Sequence, residues 1–214
     1  MIKNSKNILA VIGFLSLSVL LIFAVQDAPS DENLEKKLIN DYNVYALNIP
    51  SDLNFAEETI PLKNPDVLER MDRELLVNTY WQSNGLLMFK RANKFFPIIE
   101  PILKKNGIPD DFKYLAVIES GLRPQVKSRA GALGLWQFMY GTGRMFGLQE
   151  NSYIDERMDP EKATDAACRY LKQLYGIYGD WNLALAAYNA GPGNVNHAIK
   201  RSGGQTTYWG VRPF

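Results

Sequence analysis

The sequence has few of the residues that most often act as nucleophiles or bind transition metals. Its 214 residues include one histidine, His197, and one cysteine, Cys168. A Ser-His-Asp triad would have to use His197, and the nucleophile-elbow pattern Gly-x-Ser-x-Gly is absent. We therefore expect no catalytic triad, no metal centre and no cofactor. His197 is interpreted as a surface residue, and Cys168, which has no disulfide partner, as a small residue of the core.

The sequence also lacks a surplus of charge of either sign. It contains 24 lysines and arginines against 23 aspartates and glutamates, for a formal charge of +1. Residues 1–26 contain two of the lysines and none of the acids, so the remainder is slightly acidic. Proteins that bind the phosphate backbone usually carry a surplus of positive charge, and this sequence has none after residue 26. We expect no nucleic-acid partner.

A long hydrophobic run occurs at the N terminus. Lys3 and Lys6 precede the uncharged residues 8–25, and acidic residues and a proline follow shortly after. This arrangement is typical of an export signal. Eighteen helical residues would span about 27 Å, close to the ~30 Å core of a bilayer, so the run could also remain as an anchor. No Ala-x-Ala site follows Ala24, which slightly favours retention but leaves cleavage open. Residues 1–26 are thus predicted to be a signal peptide or an inner-membrane anchor of a protein in the periplasm or cell envelope.

Alternation of apolar and polar residues, the pattern of half-buried β-strands, is not convincing anywhere in the sequence. Residues 27–64 show no sustained period and are predicted to be a linker that partly docks on the following domain. From Pro65 onwards, apolar residues recur at steps of three and four, which is typical of helices. The sequence therefore predicts an all-α domain, or nearly so, over residues 65–214.

Glycines and prolines indicate where the first helices end. A first helix from Pro65 is predicted to end near Gly85. Pro97 and Pro101 are predicted to divide the next stretch into two short helices, because proline lacks the backbone N–H of a helix interior.

Aspartates indicate where later helices begin. Asp159, which precedes Pro160, and Asp180 are predicted to be helix N-caps. Between the helices, the apolar and glycine-containing residues 133–139 are predicted to be extended.

One carboxylate, Glu119, has surroundings that suit acid catalysis. It lies among apolar residues near the C-terminal end of a helix predicted to run from Asp110 to Gly121. Burial and the negative end of the helix dipole both disfavour the ionised form, so the pKa of Glu119 is expected to be raised. Such a group can protonate a leaving oxygen near neutral pH, as in the cleavage of glycosidic bonds.

A second carboxylate is the usual partner in glycosidic bond cleavage. Asp111 lies eight residues before Glu119, or about 12 Å along a helix, which exceeds the roughly 5–9.5 Å between paired glycosidase carboxylates. Spacing does not exclude Asp155, Asp159 or Asp165, although Asp159 already has a capping role. We favour a single acid.

Three short motifs resemble a known enzyme family. They are Glu119-Ser120, the stretch from Gly134 to Met139 followed by Gly141-Thr142, and Ala187-Tyr188-Asn189 with Gly191. In order and spacing they resemble the catalytic domain of lytic transglycosylases of the soluble-transglycosylase type, and most of all the membrane-bound murein transglycosylase D group. The resemblance covers residues 98–204, about half of the chain.

The resemblance implies a fold and a reaction. The expected fold is a lysozyme-like helical domain. We expect the protein to be a monomer. Its partners are peptidoglycan glycan strands, in which it cleaves the β-1,4 bond between N-acetylmuramic acid and N-acetylglucosamine during cell-wall remodelling. The product carries a 1,6-anhydromuramoyl end, because no water is added.

The resemblance also implies roles for individual residues. Glu119 would protonate the glycosidic oxygen and then take the proton of the muramoyl C6 hydroxyl, which is the nucleophile. Ser128 would lie near the acetamido group of the substrate. Gln137 and Met139 would line the cleft, and Tyr188 and Asn189 would lie over the acid. A buried amide such as that of Gln137 must be satisfied either by backbone groups or by a ligand in the cleft.

Two other functions remain open from the sequence. One is a goose-type lysozyme-like hydrolase on the same fold, and the other is a non-catalytic module that binds peptidoglycan. Members of the resembled family continue past a segment like Tyr208-Trp209 into a further helix and often into LysM modules. Residues 65–214 are therefore predicted to be a catalytic domain that is shortened at its C terminus relative to the family.

Overall fold

The computed structural model describes residue 36 and residues 45–214. The predicted signal or anchor segment and the first part of the predicted linker lie outside the described residues. The chain divides into two compact units after Ala46, and the fold described below is that of Leu47–Phe214. Among the helices that the structure describes, none combines the length and the apolar character needed to cross a membrane.

Helices make up most of the described fold. Their order along the chain is α1 Pro65–Tyr80, α2 Gln82–Asn106, α3 Lys113–Ser120, α4 Tyr140–Met145, α5 Pro160–Tyr178, α6 Trp181–Ala190, α7 Pro192–Arg201 and α8 Tyr208–Val211, with 3-10 turns at Asp110–Phe112 and Glu156–Met158. A two-stranded antiparallel hairpin of β1 Asn54–Phe55 and β2 Glu58–Thr59 precedes them, in the register Asn54↔Thr59 and Phe55↔Glu58. The predicted all-α class is confirmed.

The capping predictions for the two long C-terminal helices are confirmed. The Asp159 carboxylate accepts hydrogen bonds from the backbone N–H groups of Glu161 and Lys162, and Pro160 occupies the first turn of α5. Asp180 accepts from the N–H of Leu183 at the start of α6. These carboxylates satisfy N–H groups that have no partner within the helix and place negative charge at its positive end.

The predicted end of the first helix near Gly85 is wrong. Helix α1 ends at Tyr80, and the non-helical Trp81 separates it from α2. Gly85 lies inside α2, where its N–H donates to the carbonyl of Trp81 over 2.9 Å. A glycine within a helix costs only about 1 kcal/mol, so it permits a break without imposing one.

The predicted division of the second stretch at its prolines is also wrong. Helix α2 runs through Pro97 and Pro101 as one element, and both prolines are exposed. The opposite face carries Phe95, Ile99 and Leu103, which are one turn apart and buried. Because the carbonyl groups left without a donor lie on the solvent side, water can satisfy them while the buried stripe holds the helix together.

Helix α5 lies at the centre of the core, packed between α2 and α6. Its buried face is rich in small residues: Ala163, Ala166, Ala167 and Cys168 are fully buried. Burial raises the pKa of the Cys168 thiol to about 12, so the group is neutral at physiological pH. The interpretation of Cys168 as a core residue is confirmed, and His197 is exposed on α7, as predicted.

The β-hairpin packs against the helical part of the same unit. The Phe55 ring lies 5.3 Å from the ring of Phe112, and the backbone N–H of Ala56 donates to the Asp111 carboxylate over 2.8 Å. The Glu58 carboxylate accepts from the backbone N–H of Trp181 over 2.5 Å, and it also accepts from the backbone and the side chain of Asn182. A residue from the hairpin therefore caps α6 together with Asp180.

Candidate active site

Glu119 is the second-last residue of α3. Gly121, in the left-handed conformation with φ 59°, ends the helix. The inner face of this segment anchors it in the core through Phe112, Leu115 and Ala116. Glu119 itself is half-buried, whereas the neighbouring Ile118 is 77% exposed and so does not form an apolar wall around the acid. Burial raises the pKa of Glu119, which is the direction that a general acid requires.

Within the described residues, no second carboxylate joins Glu119. Burial is the cause of its raised pKa, with no contribution from another charge. Asp155 forms an ion pair with Arg157, Asp159 caps α5 and Asp165 pairs with Arg169 over 3.0 Å. The three aspartates that spacing left open as partners are thus engaged elsewhere.

The expectation that residues 133–139 are extended is wrong. Leu133 and Phe138 exchange two backbone hydrogen bonds of 3.1 Å each, and the four residues between them form a tight turn. We call residues 133–138 the glycine turn. Gln137 adopts φ 46° in this turn, a conformation that is uncommon for a residue with a side chain.

The side chain of Gln137 holds the glycine turn to the segment that follows α3. Its amide nitrogen donates to the carbonyl of Val126 over 3.0 Å and to that of Gly134 over 2.9 Å. Of the two possibilities left open by the sequence, satisfaction by backbone groups is therefore observed for the amide nitrogen. The amide oxygen accepts no hydrogen bond from the described residues and is available as an acceptor.

Arg157 stabilises the glycine turn through hydrogen bonds to backbone carbonyls in and before it. Its guanidinium group is buried, forms a bidentate pair with Asp155, and donates to the carbonyls of Gly131 and Phe138 over 3.3 Å each. The arginine lowers the pKa of Asp155 through these hydrogen bonds. The sequence analysis did not predict this role of Arg157. Its carbonyl partners lie 26 and 19 residues away, and no local sequence pattern indicates them.

Trp136 connects the glycine turn to α5 and α6. Its buried indole N–H donates to the Thr164 hydroxyl over 2.9 Å, and its carbonyl accepts from the Tyr188 hydroxyl over 2.7 Å. The pKa of Tyr188 is raised well above its ordinary value, first by burial and then by the nearby charge of Glu119. Tyr188 is therefore a neutral hydrogen-bond donor that lies near Glu119 and is bonded to the turn.

The remaining predicted site residues have different environments. Ser128 accepts from the N–H of Ala132 over 3.0 Å and so closes a small loop, while its own hydroxyl hydrogen stays available. Met139 is 45% exposed at the start of α4. Asn189 is exposed and donates to the carbonyl of Leu185 on its own helix over 3.3 Å. Ser120 is buried and donates to the carbonyl of Ala116 over 2.9 Å, which closes the last turn of α3.

Comparison with known proteins identifies the family. The family model described as the transglycosylase SLT domain matches residues 96–209 and so includes Glu119, the glycine turn and Tyr188. The chain belongs to this family. The resemblance that the three motifs predict is confirmed.

Several curated proteins resemble this chain over part of their length. The membrane-bound lytic murein transglycosylase D of Escherichia coli K12 is 36% identical over 125 residues, which are 56% of this chain and 28% of that protein. The soluble lytic murein transglycosylase of the same strain is 38% identical over 92 residues, 41% of this chain and 14% of that protein. The chain thus matches less than a third of the length of each of these two relatives.

Solved structures of lytic transglycosylases also resemble this chain. An inactive mutant of the lytic transglycosylase Slt from Pseudomonas aeruginosa is 30% identical, with a TM-score of 0.43, over 49% of this chain and 18% of that one. The 70 kDa soluble lytic transglycosylase of Escherichia coli is 20% identical, with a TM-score of 0.49, over 91% of this chain and 41% of that one.

Proposed function

We propose that this protein is a peptidoglycan lytic transglycosylase. In this proposal it cleaves the β-1,4 bond between N-acetylmuramic acid and N-acetylglucosamine and leaves a 1,6-anhydromuramoyl end. The observation that carries the proposal is Glu119: a half-buried carboxyl group with a raised pKa and no carboxylate partner among the described residues, in a chain of the SLT family. Cell-wall remodelling in the envelope is the corresponding biological role.

The mechanism requires one protein acid that acts twice. Glu119 first donates its proton to the glycosidic oxygen as the bond from that oxygen to the muramoyl C1 breaks. The ionised Glu119 then takes the proton of the muramoyl C6 hydroxyl while O6 bonds to C1. Because the nucleophile belongs to the substrate, no second carboxylate is needed to activate water. The proton returns to Glu119, and the reaction consumes no water.

The surrounding residues would position the sugar. The free amide oxygen of Gln137 and the hydroxyl of Ser128 are polar groups that an acetamido or hydroxyl group could contact. Met139 adds exposed apolar surface beside the glycine turn. Tyr188 would act by fixing that turn relative to Glu119 through the carbonyl of Trp136. Asn189 is predicted to lie over the acid, but among the described residues it forms no hydrogen bond with Glu119.

The domain organisation is part of the same proposal. Residues 1–26 would bring the protein to the periplasm or hold it at the inner membrane. Residues 27–64 would link this segment to residues 65–214, which would catalyse the reaction. Peptidoglycan strands would be the substrate of a monomeric enzyme.

Product analysis tests the reaction type. Purified protein should release muropeptides with 1,6-anhydro ends from isolated sacculi, which mass spectrometry recognises because each lacks one water relative to a hydrolysed end. Hydrated reducing ends alone would instead establish the goose-type hydrolase and overturn the proposal.

Glu119→Gln tests the acid. The amide keeps the shape but cannot donate the proton, so we expect product release to fall by about 10²-fold or more. Glu69→Gln, on the exposed surface of α1, makes the same chemical change away from the site and should keep wild-type activity. Equal sacculus binding by wild type and Glu119→Gln, without glycan release by either, would favour the non-catalytic module.

A further inference from the structure

A groove with positive charge in its walls is lined by the segment that directly follows α3, the helix of Glu119. We call it the basic groove. Its volume is about 610 Å³, and its lining consists of Arg91 and Lys94 with Phe95 from α2, and Leu122, Arg123, Pro124, Gln125 and Val126 from the segment after α3. The groove is open to solvent, so an extended ligand can enter it from the side.

The charge of the basic groove has one sign. Arg91, Lys94 and Arg123 contribute three positive charges, and no aspartate or glutamate is among the lining residues. None of the three forms an ion pair with another described residue. By contrast, three other clefts of similar size have carboxylates in their walls. Converging cations without local counter-charges favour an anionic ligand.

Two of these cations are joined to the backbone that follows Glu119. Arg91 donates to the carbonyl of Gly121 over 3.1 Å, and Arg123 donates through Nε to the carbonyl of Ser120 over 3.0 Å. Each guanidinium group has five N–H donors, so most of them remain for a ligand. Lys94 is exposed, and its ammonium group lies 5.2 Å from the centre of the Phe95 ring.

The floor of the basic groove is apolar. Phe95 and Leu122 are buried beneath it, and Pro124 and Val126 are half-buried. A ligand that combines small apolar groups with carboxylates would therefore match both the floor and the walls. Short peptides rich in alanine and acidic residues have this combination.

We propose that the basic groove binds the carboxylates of the stem peptide attached to the muramic acid of the substrate. This inference rests on the proposed function, since it assumes that a muramoyl residue is bound at Glu119. Arg123 is four positions after Glu119, so their Cα atoms are at most about 15 Å apart, and an extended peptide of four residues spans up to about 14 Å. The stem peptide is attached through the lactyl group on C3 of the muramoyl residue, whose C1 bond is the one cleaved. From a muramoyl residue bound at Glu119, such a peptide is long enough to reach the groove.

Lys94 is the position at which to test the groove, because it makes no hydrogen bond to the backbone near Glu119 among the described contacts. The test uses the full chain with Glu119→Gln, so that strands are bound without being consumed. Binding of soluble glycan strands that carry stem peptides is compared with binding of strands from which an amidase has removed the peptides. Lys94→Gln and Lys94→Glu are each added to this background.

The matched control is Lys90→Glu, which makes the same charge change one helical turn earlier, on exposed surface outside the groove. We expect Lys94→Gln to weaken binding of peptide-bearing strands about threefold and Lys94→Glu about tenfold, with smaller effects at high salt. Binding of peptide-free strands and the binding of Lys90→Glu should stay at the parent level.

Two results would overturn the inference while the proposed function stands. One is equal binding of peptide-bearing and peptide-free strands by the parent protein. The other is an unchanged affinity for peptide-bearing strands in both Lys94 variants. If the parent bound neither kind of strand, the proposed function would fall instead, and titration with free stem peptide against parent and Lys94→Glu would decide on the groove alone.

Discussion

At the scale of single residues, the structure keeps Glu119 in an environment that is unfavourable for its charge. The carboxyl group is half-buried, and its pKa is raised by that burial. None of the described residues donates a hydrogen bond that would stabilise the ionised form. A protein gains nothing in stability from such a group, and this cost supports the catalytic role proposed for Glu119.

Glu119→Gln should therefore stabilise the fold in a pH-dependent way. Since the pKa of Glu119 is higher in the folded than in the unfolded state, wild-type stability falls as pH rises from the unfolded pKa, about 4.3, through the folded pKa. Glutamine has no such cost. The difference in free energy of unfolding between the variant and wild type should grow in favour of the variant over this range and then level off.

Urea unfolding at a series of pH values measures this difference. Glu69→Gln, on an exposed part of α1, is the control and should show no comparable change with pH. A difference between Glu119→Gln and wild type that is constant from pH 4 to pH 8 would contradict the expected burial cost.

At the scale of structural elements, the glycine turn leaves no room for a side chain at Gly134. Gly134 has φ 87°, and a Cβ atom at this position would lie 1.8 Å from the carbonyl oxygen of Arg157. That oxygen belongs to backbone held by the Arg157–Asp155 pair, so it cannot move aside easily. The approach of two backbone segments explains why glycine stands at this position.

Gly134→Ala should lower the free energy of unfolding by about 3 kcal/mol, through both the contact with Arg157 and the left-handed φ. The control is Gly176→Ala in the exposed part of α5, where nothing lies within 4 Å of the added Cβ. It should raise the free energy of unfolding by about 0.5–1 kcal/mol, as expected in a helix interior. Chemical denaturation of the two variants gives both values, and equal destabilisation would contradict the argument.

The elements also show what a sequence can and cannot predict. Asp159 and Asp180 were readable as caps because their partners lie two or three residues away. The continuity of α2 through its prolines was not readable, because it depends on which face of the helix is buried. In the same way, the turn around Gly134 depends on Arg157, which reaches the turn only through the tertiary fold.

The site follows the same division. The position of Glu119 at a helix end was predictable because the glycine that ends the helix lies two residues away in the sequence. The partner of Tyr188 was not, because its hydroxyl bonds a backbone carbonyl 52 residues away.

At the scale of the whole unit, the hairpin and the C-terminal helices depend on each other. The Glu58 carboxylate accepts hydrogen bonds from backbone N–H groups at the start of α6, next to Asp180. The pKa of Asp180 is raised, mainly by burial and also by the charge of Glu58. Two carboxylates therefore share one helix N-terminus, where the helix dipole and the N–H groups offset their repulsion.

Glu58→Ala should lower the free energy of unfolding by about 1–2 kcal/mol, because it leaves N–H groups at the start of α6 without an acceptor. Asp52→Ala removes the same charge from an exposed position of the same segment and should change stability by less than about 0.5 kcal/mol. Thermal or urea unfolding of both variants checks this. Equal effects would mean that the hairpin contributes charge alone rather than a cap.

The contact between Glu58 and Trp181 also determines the order in which the domain can be completed during synthesis. The two residues are 123 positions apart, and a ribosome adds about 5–20 residues per second. The hairpin is therefore made about 6–25 s before the amides that it caps. With two residues in each strand, it is too short to be stable alone. The hairpin can therefore adopt its native contacts only after α6 has been synthesised and has emerged from the ribosome.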